Sequence, residues 1–406
     1  MAKPFYGWVV VWAGFVALAV IFGSSYSFAA FFASFAREFS AQRADVSLVF
    51  GLSGLLYFVL GAAAGAIADR VGPRWTAVAG IAVLVGGLVG ASHATSLGAV
   101  YVFYGIGVGL GVALVYTPTV GAVQPWFERR RGLASGIASA GIGAGTLVGP
   151  LMAAALIDAV GWRSGMRTMA AILGVLGLAA ALLLDKNPAR RGLGPDGGPP
   201  LPPVGKAGHS SLGGMTLRET VRSPRFLWLY LATVLAGPVM FTPFAHVSAH
   251  ARDLGVADAR AVALVGLIGI GSLVGRFAIG ALADRLGRLR TLVLMMALLG
   301  ASYGFWYAAP GYTLLAVFAV SFGLCYGGIV SLLPPICMDQ FGGRAVSAII
   351  GVLYTGAALG NLLGPVAAGA VFDATGSYVP VMAACALCAA GATWASWRMM
   401  RASAAP

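Results

Sequence analysis

A series of long apolar runs, separated by short polar segments, constrains this 406-residue chain more than any other feature. A helix of about 20 apolar residues crosses the ~30 Å hydrocarbon core of a membrane. A segment in lipid must satisfy its own backbone hydrogen bonds, so runs of this length are expected to be helices. Only 10% of the residues are charged and 59% are hydrophobic, whereas about a quarter of the residues of a soluble domain are charged. The sequence therefore predicts an all-α membrane protein and excludes a soluble globular one.

The apolar runs fall into two sets of six. A segment rich in proline and glycine, residues 186–223, lies between the sets and is typical of a flexible linker. It separates a predicted N-terminal half, residues 1–185, from a predicted C-terminal half, residues 224–406. The twelve predicted transmembrane helices cover residues 8–36, 46–68, 73–93, 96–124, 132–158, 164–184, 225–250, 258–283, 289–309, 312–338, 345–372 and 377–398.

Two motifs recur at one constant spacing of 215 residues. The first, Gly-x-x-x-Asp-Arg-x-Gly, begins at Gly65 and again at Gly280. The second, Gly-x8-Gly-x3-Gly-Pro, begins at Gly136 and again at Gly351. The shared spacing predicts two parallel, pseudo-symmetric repeats, with a substrate site between them near the middle of the membrane.

The first motif lies where a helix is expected to leave the membrane, and its charged residues are candidates for a gating latch. An aspartate can cap a neighbouring helix, and an arginine can pair with it across the turn. A charged loop that only sets the topology is the alternative. Arg129 and Arg344, which are also 215 residues apart, are further candidates for this latch. The predicted latch residues are Asp69, Arg70, Arg129, Asp284, Arg285 and Arg344.

The distribution of basic residues predicts the orientation in the membrane. With both ends of the chain in the cytoplasm, 19 of the 26 lysines and arginines face the cytoplasm, six face outside and Arg276 lies within a span. Cytoplasmic loops therefore explain the net charge of +13, and nucleic-acid binding is not expected. The preference for arginine over lysine hints at a bacterial genome, so the predicted location is the inner (plasma) membrane of a bacterium.

No catalytic or metal-binding set is evident in the sequence. Cys385 and Cys388 form a C-x-x-C, but both lie within an apolar stretch and are interpreted as small core residues. No nucleophile with a base, metal-ligand cluster or phosphate-binding loop is apparent. The sequence predicts neither an enzyme nor a bound cofactor or metal.

Arg276 is the one cation that the sequence places inside the membrane. It lies ~12 Å from Asp284 along the helix, and burying a guanidinium there costs at least ~2.5–3.5 kcal/mol. All 13 acidic residues fall at helix ends or in loops, and the counterpart of Arg276 in the first repeat is Gly61. Backbone carbonyls or water could satisfy its donors. A single substrate carboxylate, which matches the planar fork of arginine, is the hypothesis that we favour.

Three segments carry a resemblance to a known family: Tyr6–Val11, Trp126–Gly136 and Gly271–Arg276. Over essentially its whole length the chain resembles the major facilitator superfamily. The three segments are similar to the monocarboxylate transporter family within it, which includes bacterial carriers of the lactate and pyruvate type. The resemblance implies that Arg276 binds the substrate carboxylate. The stretch Gly145–Pro150 also resembles a signature of drug antiporters.

Several other polar residues are candidates for the substrate site. Ser272 lies one turn before Arg276 on the same helix face, where many eukaryotic members of the family carry an acid. His246 could carry a coupled proton or be a hydrogen-bonded core histidine. Five tyrosines, Tyr26 and Tyr57 among them, could donate hydrogen bonds. The predicted substrate-binding residues are Arg276, Ser272, Tyr116, His246, Tyr326, Tyr354 and Asn361.

Together these features predict a monomeric secondary active transporter that moves a small monocarboxylate, such as lactate or pyruvate, by alternating access. Co-transport of a proton is implied by the family resemblance alone. Two alternatives remain open: a drug or metabolite efflux antiporter of the same fold, and a carboxylate-sensing membrane protein without transport. The expected partners are the substrate anion, a coupled proton and the lipid bilayer.

Overall fold

The computed structural model describes residues 5–127, 131–186, 188–198, 214–342 and 346–404. These residues are almost entirely helical, and the only β-pairing among them is an isolated bridge between Gly214 and Gly342. The prediction of an all-α protein is therefore confirmed.

The described helices before the linker form what we name the N-terminal group. A π-helix, Tyr101–Val108, connects two of them directly. The helices are α1 (Tyr6–Tyr26), α2 (Phe28–Glu38), α3 (Arg43–Val59), α4 (Gly61–Val71), α5 (Pro73–Ser92), α6 (Leu97–Val100), α7 (Gly109–Val123) and α8 (Arg131–Leu183).

A short helix, α9 (Leu217–Arg222), lies within the predicted linker, close to its end, and begins with a capping box between Thr216 and Glu219. The helices after it form the C-terminal group. They are α10 (Pro224–Asp253), α11 (Asp258–Leu286), α12 (Arg288–Tyr307), α13 (Tyr312–Phe341), α14 (Val346–Thr375) and α15 (Val379–Ala404).

Ten helices in the described ranges are long and apolar enough to cross a membrane. The difference from the predicted twelve has two causes. The second predicted span is divided at Leu60, so neither α3 nor α4 is long enough by itself. The fifth and sixth spans are joined in α8, whose backbone departs from helical geometry at Gly161 (φ 76°, ψ 161°). Glycine tolerates this positive φ, so the chain can change direction there. The count of twelve stays a prediction.

The repeated glycine motif packs corresponding helices together in the two groups. In the N-terminal group, a Cβ at Gly149 on α8 would overlap the backbone of Gly23 on α1. In the C-terminal group, a Cβ at Gly364 on α14 would meet the backbone of Pro238 on α10. Both partners and both glycines are 215 residues apart. The repeat in the sequence thus corresponds to equivalent close packing of small residues, which is a common way to join membrane helices.

The two groups also pack against each other, α14 along α3 and α11 along α8. We name the end of the bundle where α8 ends and α10 begins the linker end. The opposite end, where α10 ends at Asp253, is the distal end.

The Gly-x-x-x-Asp-Arg-x-Gly motifs end α4 and α11 at the linker end. Their final glycines, Gly72 and Gly287, have φ values of 100° and 86°, so the next helix can begin at once. Arg70 and Arg285 are exposed. The predicted latch itself stays a prediction. Its other members lie outside the described residues, either as side chains (Asp69, Asp284) or entirely (Arg129, Arg344).

Candidate substrate site

Arg276 lies on α11, which packs against α13 almost backbone to backbone. Added Cβ atoms at Gly271 and Gly275 of α11 would overlap the carbonyl oxygens of Val320 and Leu324 on α13. Gly327 of α13 meets α11 in the same way. This close contact holds the middle of α11, and therefore the backbone of Arg276, in one position.

The guanidinium of Arg276 is not satisfied by its protein surroundings. Its Nε and Nη2 atoms are buried and have no hydrogen-bond partner among the residues that the structure describes. The Oγ atom of Ser272, one helical turn earlier, is also buried without a partner there. Buried polar groups are normally hydrogen-bonded, because leaving one unpaired costs about 1–3 kcal/mol and more for a charged group. These donors are therefore suited to an anionic ligand.

Four tyrosines lie close enough to Arg276 to interact with it electrostatically: Tyr26, Tyr116, Tyr326 and Tyr354. They come from α1, α7, α13 and α14, so both helix groups contribute. The hydroxyl oxygens of Tyr26 and Tyr326 are 3.1 Å apart and form a hydrogen bond across the two groups. The structure thus brings together Arg276, Ser272 and three of the predicted tyrosines, and adds Tyr26, a possible donor that was not among the predicted substrate-binding residues.

Phenylalanines form the apolar surroundings of this tyrosine shell. The Phe244 ring stacks on Tyr26 with centroids 4.3 Å apart. Phe58 packs edge-on to Tyr354 at 5.9 Å, and Phe22 packs edge-on to Tyr116 at 5.6 Å. Apolar walls lower the local dielectric constant and strengthen the attraction between a guanidinium and an anion. Sequence analysis missed these rings because aromatic residues in membrane helices carry no signal that distinguishes a cavity wall from ordinary packing.

Asn361 and His246 lie at contacts between the two groups. Asn361 is fully buried, fills the space beside Gly54 of α3, and donates a hydrogen bond to the carbonyl of Phe50 at 3.3 Å. His246 is also fully buried, and its ring contacts Ser47 of α3. Their roles as substrate ligands stay predictions.

A second arginine, Arg43 at the start of α3, joins the two groups at the distal end. Its guanidinium donates to both carboxylate oxygens of Asp253, at 2.6 and 2.9 Å, and to the hydroxyl of Tyr378 at 2.8 Å. It also stands 3.8 Å from the centroid of the Phe372 ring. Sequence analysis missed this arrangement because it placed Arg43 among loop charges.

Asp373, at the end of α14, completes this distal cluster, which we define as Arg43, Asp253, Phe372, Asp373 and Tyr378. Its carboxylate accepts hydrogen bonds from the backbone N–H groups of Arg43, at 3.1 Å, and of Ala44, at 2.9 Å. These are free donors of the first turn of α3, so a residue of one group caps a helix of the other. The described side-chain hydrogen bonds between the groups run from the Tyr26–Tyr326 pair to this cluster.

The fold is that of a membrane transporter, and comparison with known proteins agrees. The model of the Major Facilitator Superfamily matches residues 14–280 and 240–406. The chain is 30% identical over 379 residues to monocarboxylate transporter 13 of Rattus norvegicus, covering 92% of this chain and 84% of the relative. It is 32% identical to monocarboxylate transporter 3 of the same species, covering 92% and 75%.

A human relative, monocarboxylate transporter 11, is 30% identical over 385 residues, covering 92% of this chain and 78% of its own length. The chain therefore belongs to the major facilitator superfamily and, within it, to the monocarboxylate transporter family. These are transporters and not enzymes. Among solved structures, a bacterial homologue of the human lysosomal transporter Spinster, in an inward-facing and unoccupied conformation, matches with a TM-score of 0.73, 18% identity and full coverage of both chains. At that identity the match supports the fold alone.

Proposed function

We propose that this protein carries a small monocarboxylate, such as lactate or pyruvate, across the membrane together with a proton. The observation that carries the proposal is Arg276, whose buried Nε and Nη2 atoms have no partner among the described residues. The names of the relatives indicate the same class of substrate.

The chemistry of the site favours a single carboxylate. Two parallel N–H···O bonds from the guanidinium fork would bind it, and the pairing would neutralise Arg276. The Oγ atom of Ser272, one turn away, is a suitable partner for an oxygen on the 2-carbon of a hydroxy or keto acid. The aromatic walls suit the small apolar remainder of such an acid.

The transport cycle that we propose is alternating access between two six-helix halves, residues 1–185 and 224–406, joined by residues 186–223. Binding of the anion removes the cost of enclosing an unpaired cation, so the loaded site can close. A proton that moves with the anion keeps the reorienting carrier free of added charge.

The positive-inside rule supports an orientation with the linker end and both chain termini in the cytoplasm of a bacterial inner membrane. The distal end then faces outside. The distal cluster would part to admit substrate from outside, while the latch motifs would act at the linker end. We expect a monomer to be sufficient, because both helix groups of one chain contribute to the site.

Uptake by purified protein in proteoliposomes tests this proposal. We expect labelled lactate or pyruvate to accumulate above its equilibrium level under an inward proton gradient and to stop doing so when a protonophore is added. Liposomes without protein are the control. No accumulation of any monocarboxylate, with protein in both orientations, would contradict the proposal. Efflux of neutral or cationic compounds that does not depend on Arg276 would instead indicate an antiporter. Binding without flux would indicate a sensor.

A further inference from the structure

His246 lies seven residues before the end of α10 and directly beneath the distal cluster. Its side chain is fully buried. The Nδ1 atom is 2.8 Å from the hydroxyl of Tyr378. The Nε2 atom is 2.8 Å from the carbonyl oxygen of Pro365 on α14 and 3.1 Å from Oγ of Ser47 on α3. Both ring nitrogens are therefore engaged when the distal end is closed.

The partners of His246 determine where its proton lies. A carbonyl oxygen can only accept, so Nε2 carries the hydrogen that points to Pro365. Ser47 donates its own hydroxyl proton to the carbonyl of Arg43 at 2.6 Å, so its oxygen can only accept from Nε2 as well. The Tyr378 hydroxyl accepts from Arg43, which leaves its own proton to donate to Nδ1. A neutral imidazole fits these contacts when its single Nε2 hydrogen is directed to the Pro365 carbonyl and shared with the more distant Ser47 oxygen.

A second proton on His246 would break this pattern. Nδ1 would become a donor toward Tyr378, whose oxygen already accepts from Arg43, and the hydroxyl proton of Tyr378 would lose its acceptor. The new charge would also lie near the Arg43 guanidinium. An unpaired buried polar group and an unpaired buried charge both destabilise the arrangement that contains them.

The charged and titratable groups that face His246 do not offset this cost. Asp253 on α10 already binds the guanidinium of Arg43, and Asp373 on α14 already caps α3. His250, one turn further along α10, accepts a hydrogen bond from the indole N–H of Trp306 at 2.8 Å. On the α2 side, the neighbour of the imidazole is the ring of Phe32, 5.9 Å away between centroids.

We propose that His246 makes the distal closure sensitive to protons: the closed state requires neutral His246, and protonation favours the state in which the distal end is open. Separation of the two groups would remove Ser47 and Phe32 from the imidazole and admit water, which can solvate an imidazolium. This role differs from that of a substrate ligand. It rests on the proposed function only in assuming that the distal end opens during the cycle.

The size of the effect follows from the ordinary chemistry of histidine. A solvated imidazole has a pKa of ~6.5. If the closed state binds no proton there, the ratio of open to closed molecules rises about tenfold between pH 7.5 and pH 5.5. At acidic external pH, the empty carrier would thus favour the state in which its distal end is open to substrate from outside.

Distance measurement by pulsed electron paramagnetic resonance tests the proposal on the full chain in lipid nanodiscs. Nitroxide labels are attached at Thr95, in the loop before α6, and at Ala308, after α12, with the native cysteines replaced. Both positions are exposed and lie at the distal end outside the cluster. We expect the longer-distance population to increase about tenfold relative to the shorter one on acidification from pH 7.5 to 5.5.

The decisive variant is His246→Gln, and the matched control is His250→Gln on the same helix. Glutamine can donate to the Pro365 carbonyl but takes up no proton between pH 7.5 and 5.5. We therefore expect the distance distribution of His246→Gln not to change with pH. The control should keep the response of the parent. A response retained in His246→Gln, or lost in His250→Gln, would overturn the proposal. The absence of a pH response in the parent protein would also overturn the proposal, and this measurement does not depend on the folding of any variant. No substrate is added, so these outcomes are separate from failure of monocarboxylate transport.

Discussion

Two arginines in the described part of the chain, Arg43 and Arg276, lie between the helix groups, and their surroundings differ. Arg43 at the distal end has a carboxylate bound through two oxygens, a tyrosine hydroxyl and an aromatic ring against its face. Arg276 in the central site has tyrosines around it, yet its Nε and Nη2 atoms have no partner in the described part of the chain.

This difference separates an arginine whose donors are satisfied within the described residues from one whose buried donors are not. The protein itself supplies the counterion of Arg43, so the contact that Arg43 makes between the two helix groups needs no substrate. Arg276 has no such counterion among the residues that the structure describes, and in the proposed cycle an anionic substrate would supply it. Under the proposed function, the same side chain would serve as a conformational contact in one place and as a binding group in the other.

The largest expected effect comes from removing Arg276. Because two charge-assisted hydrogen bonds are lost, Arg276→Ala should reduce monocarboxylate uptake at least about 100-fold. Arg276→Lys keeps the charge but loses the planar fork, and should reduce uptake about tenfold or more. Uptake into proteoliposomes measures both.

The matched control is Arg167→Ala, an exposed arginine on α8, which should transport normally. Thermal unfolding without substrate sharpens the comparison. Since the protein does not satisfy Arg276, Arg276→Ala should unfold at the same or a higher temperature. Wild-type uptake by Arg276→Ala would remove this residue from the substrate site.

The next largest effect is expected from disturbing the close packing of α11 against α13, which positions Arg276. In Gly275→Ala, the added methyl group would overlap the Leu324 carbonyl on α13, and overpacking of this kind costs about 1–3 kcal/mol. We expect a lower thermal unfolding midpoint and weaker substrate binding, since α11 must move. Gly304→Ala on α12 is the control, because nothing lies within 4 Å of its added Cβ. Equal midpoints for the two variants would show that the contact between α11 and α13 is not tight.

Breaking the distal pair should have the smallest effect. The side chains of Arg43 and Asp253 are 22% and 32% exposed, so water screens their attraction, and its loss should cost about 1 kcal/mol. In Arg43→Ala the open population should rise roughly fivefold, measured with labels at Thr95 and Ala308. Arg43→Ala, Asp253→Ala and the double variant form a cycle. Additive effects would mean that the two residues do not act as a pair.

Much of the site was predictable where the signal was local. Arg276 stands out because a cation within an apolar run is costly wherever the helix lies. Ser272 follows from helical spacing, and Tyr116 and Tyr326 from their places on the fourth and tenth predicted helices, which commonly close such cavities. The phenylalanine walls and Tyr26 could not be selected in the same way, because a ring facing a cavity and a ring facing a neighbouring helix look alike in sequence.

The distal cluster shows the opposite case. Arg43 and Asp253 are 210 residues apart, and each falls at a helix end where charged residues are ordinary. Nothing in the local sequence distinguishes them from loop charges that face water. His246 likewise was a candidate for the substrate site. Its described contacts with Ser47 on α3, Pro365 on α14 and Tyr378 just before α15 place it next to the distal cluster.

The sequence by itself determined the helical class, the 215-residue repeat and the burial of a cation in the membrane. Lipid imposes these features on each segment separately, through length, apolarity and the need to pair every backbone group. The tertiary structure alone decided which arginine is satisfied and which is not. That outcome depends on how helices distant in the chain are juxtaposed, and hydrogen bonds act only over about 3 Å.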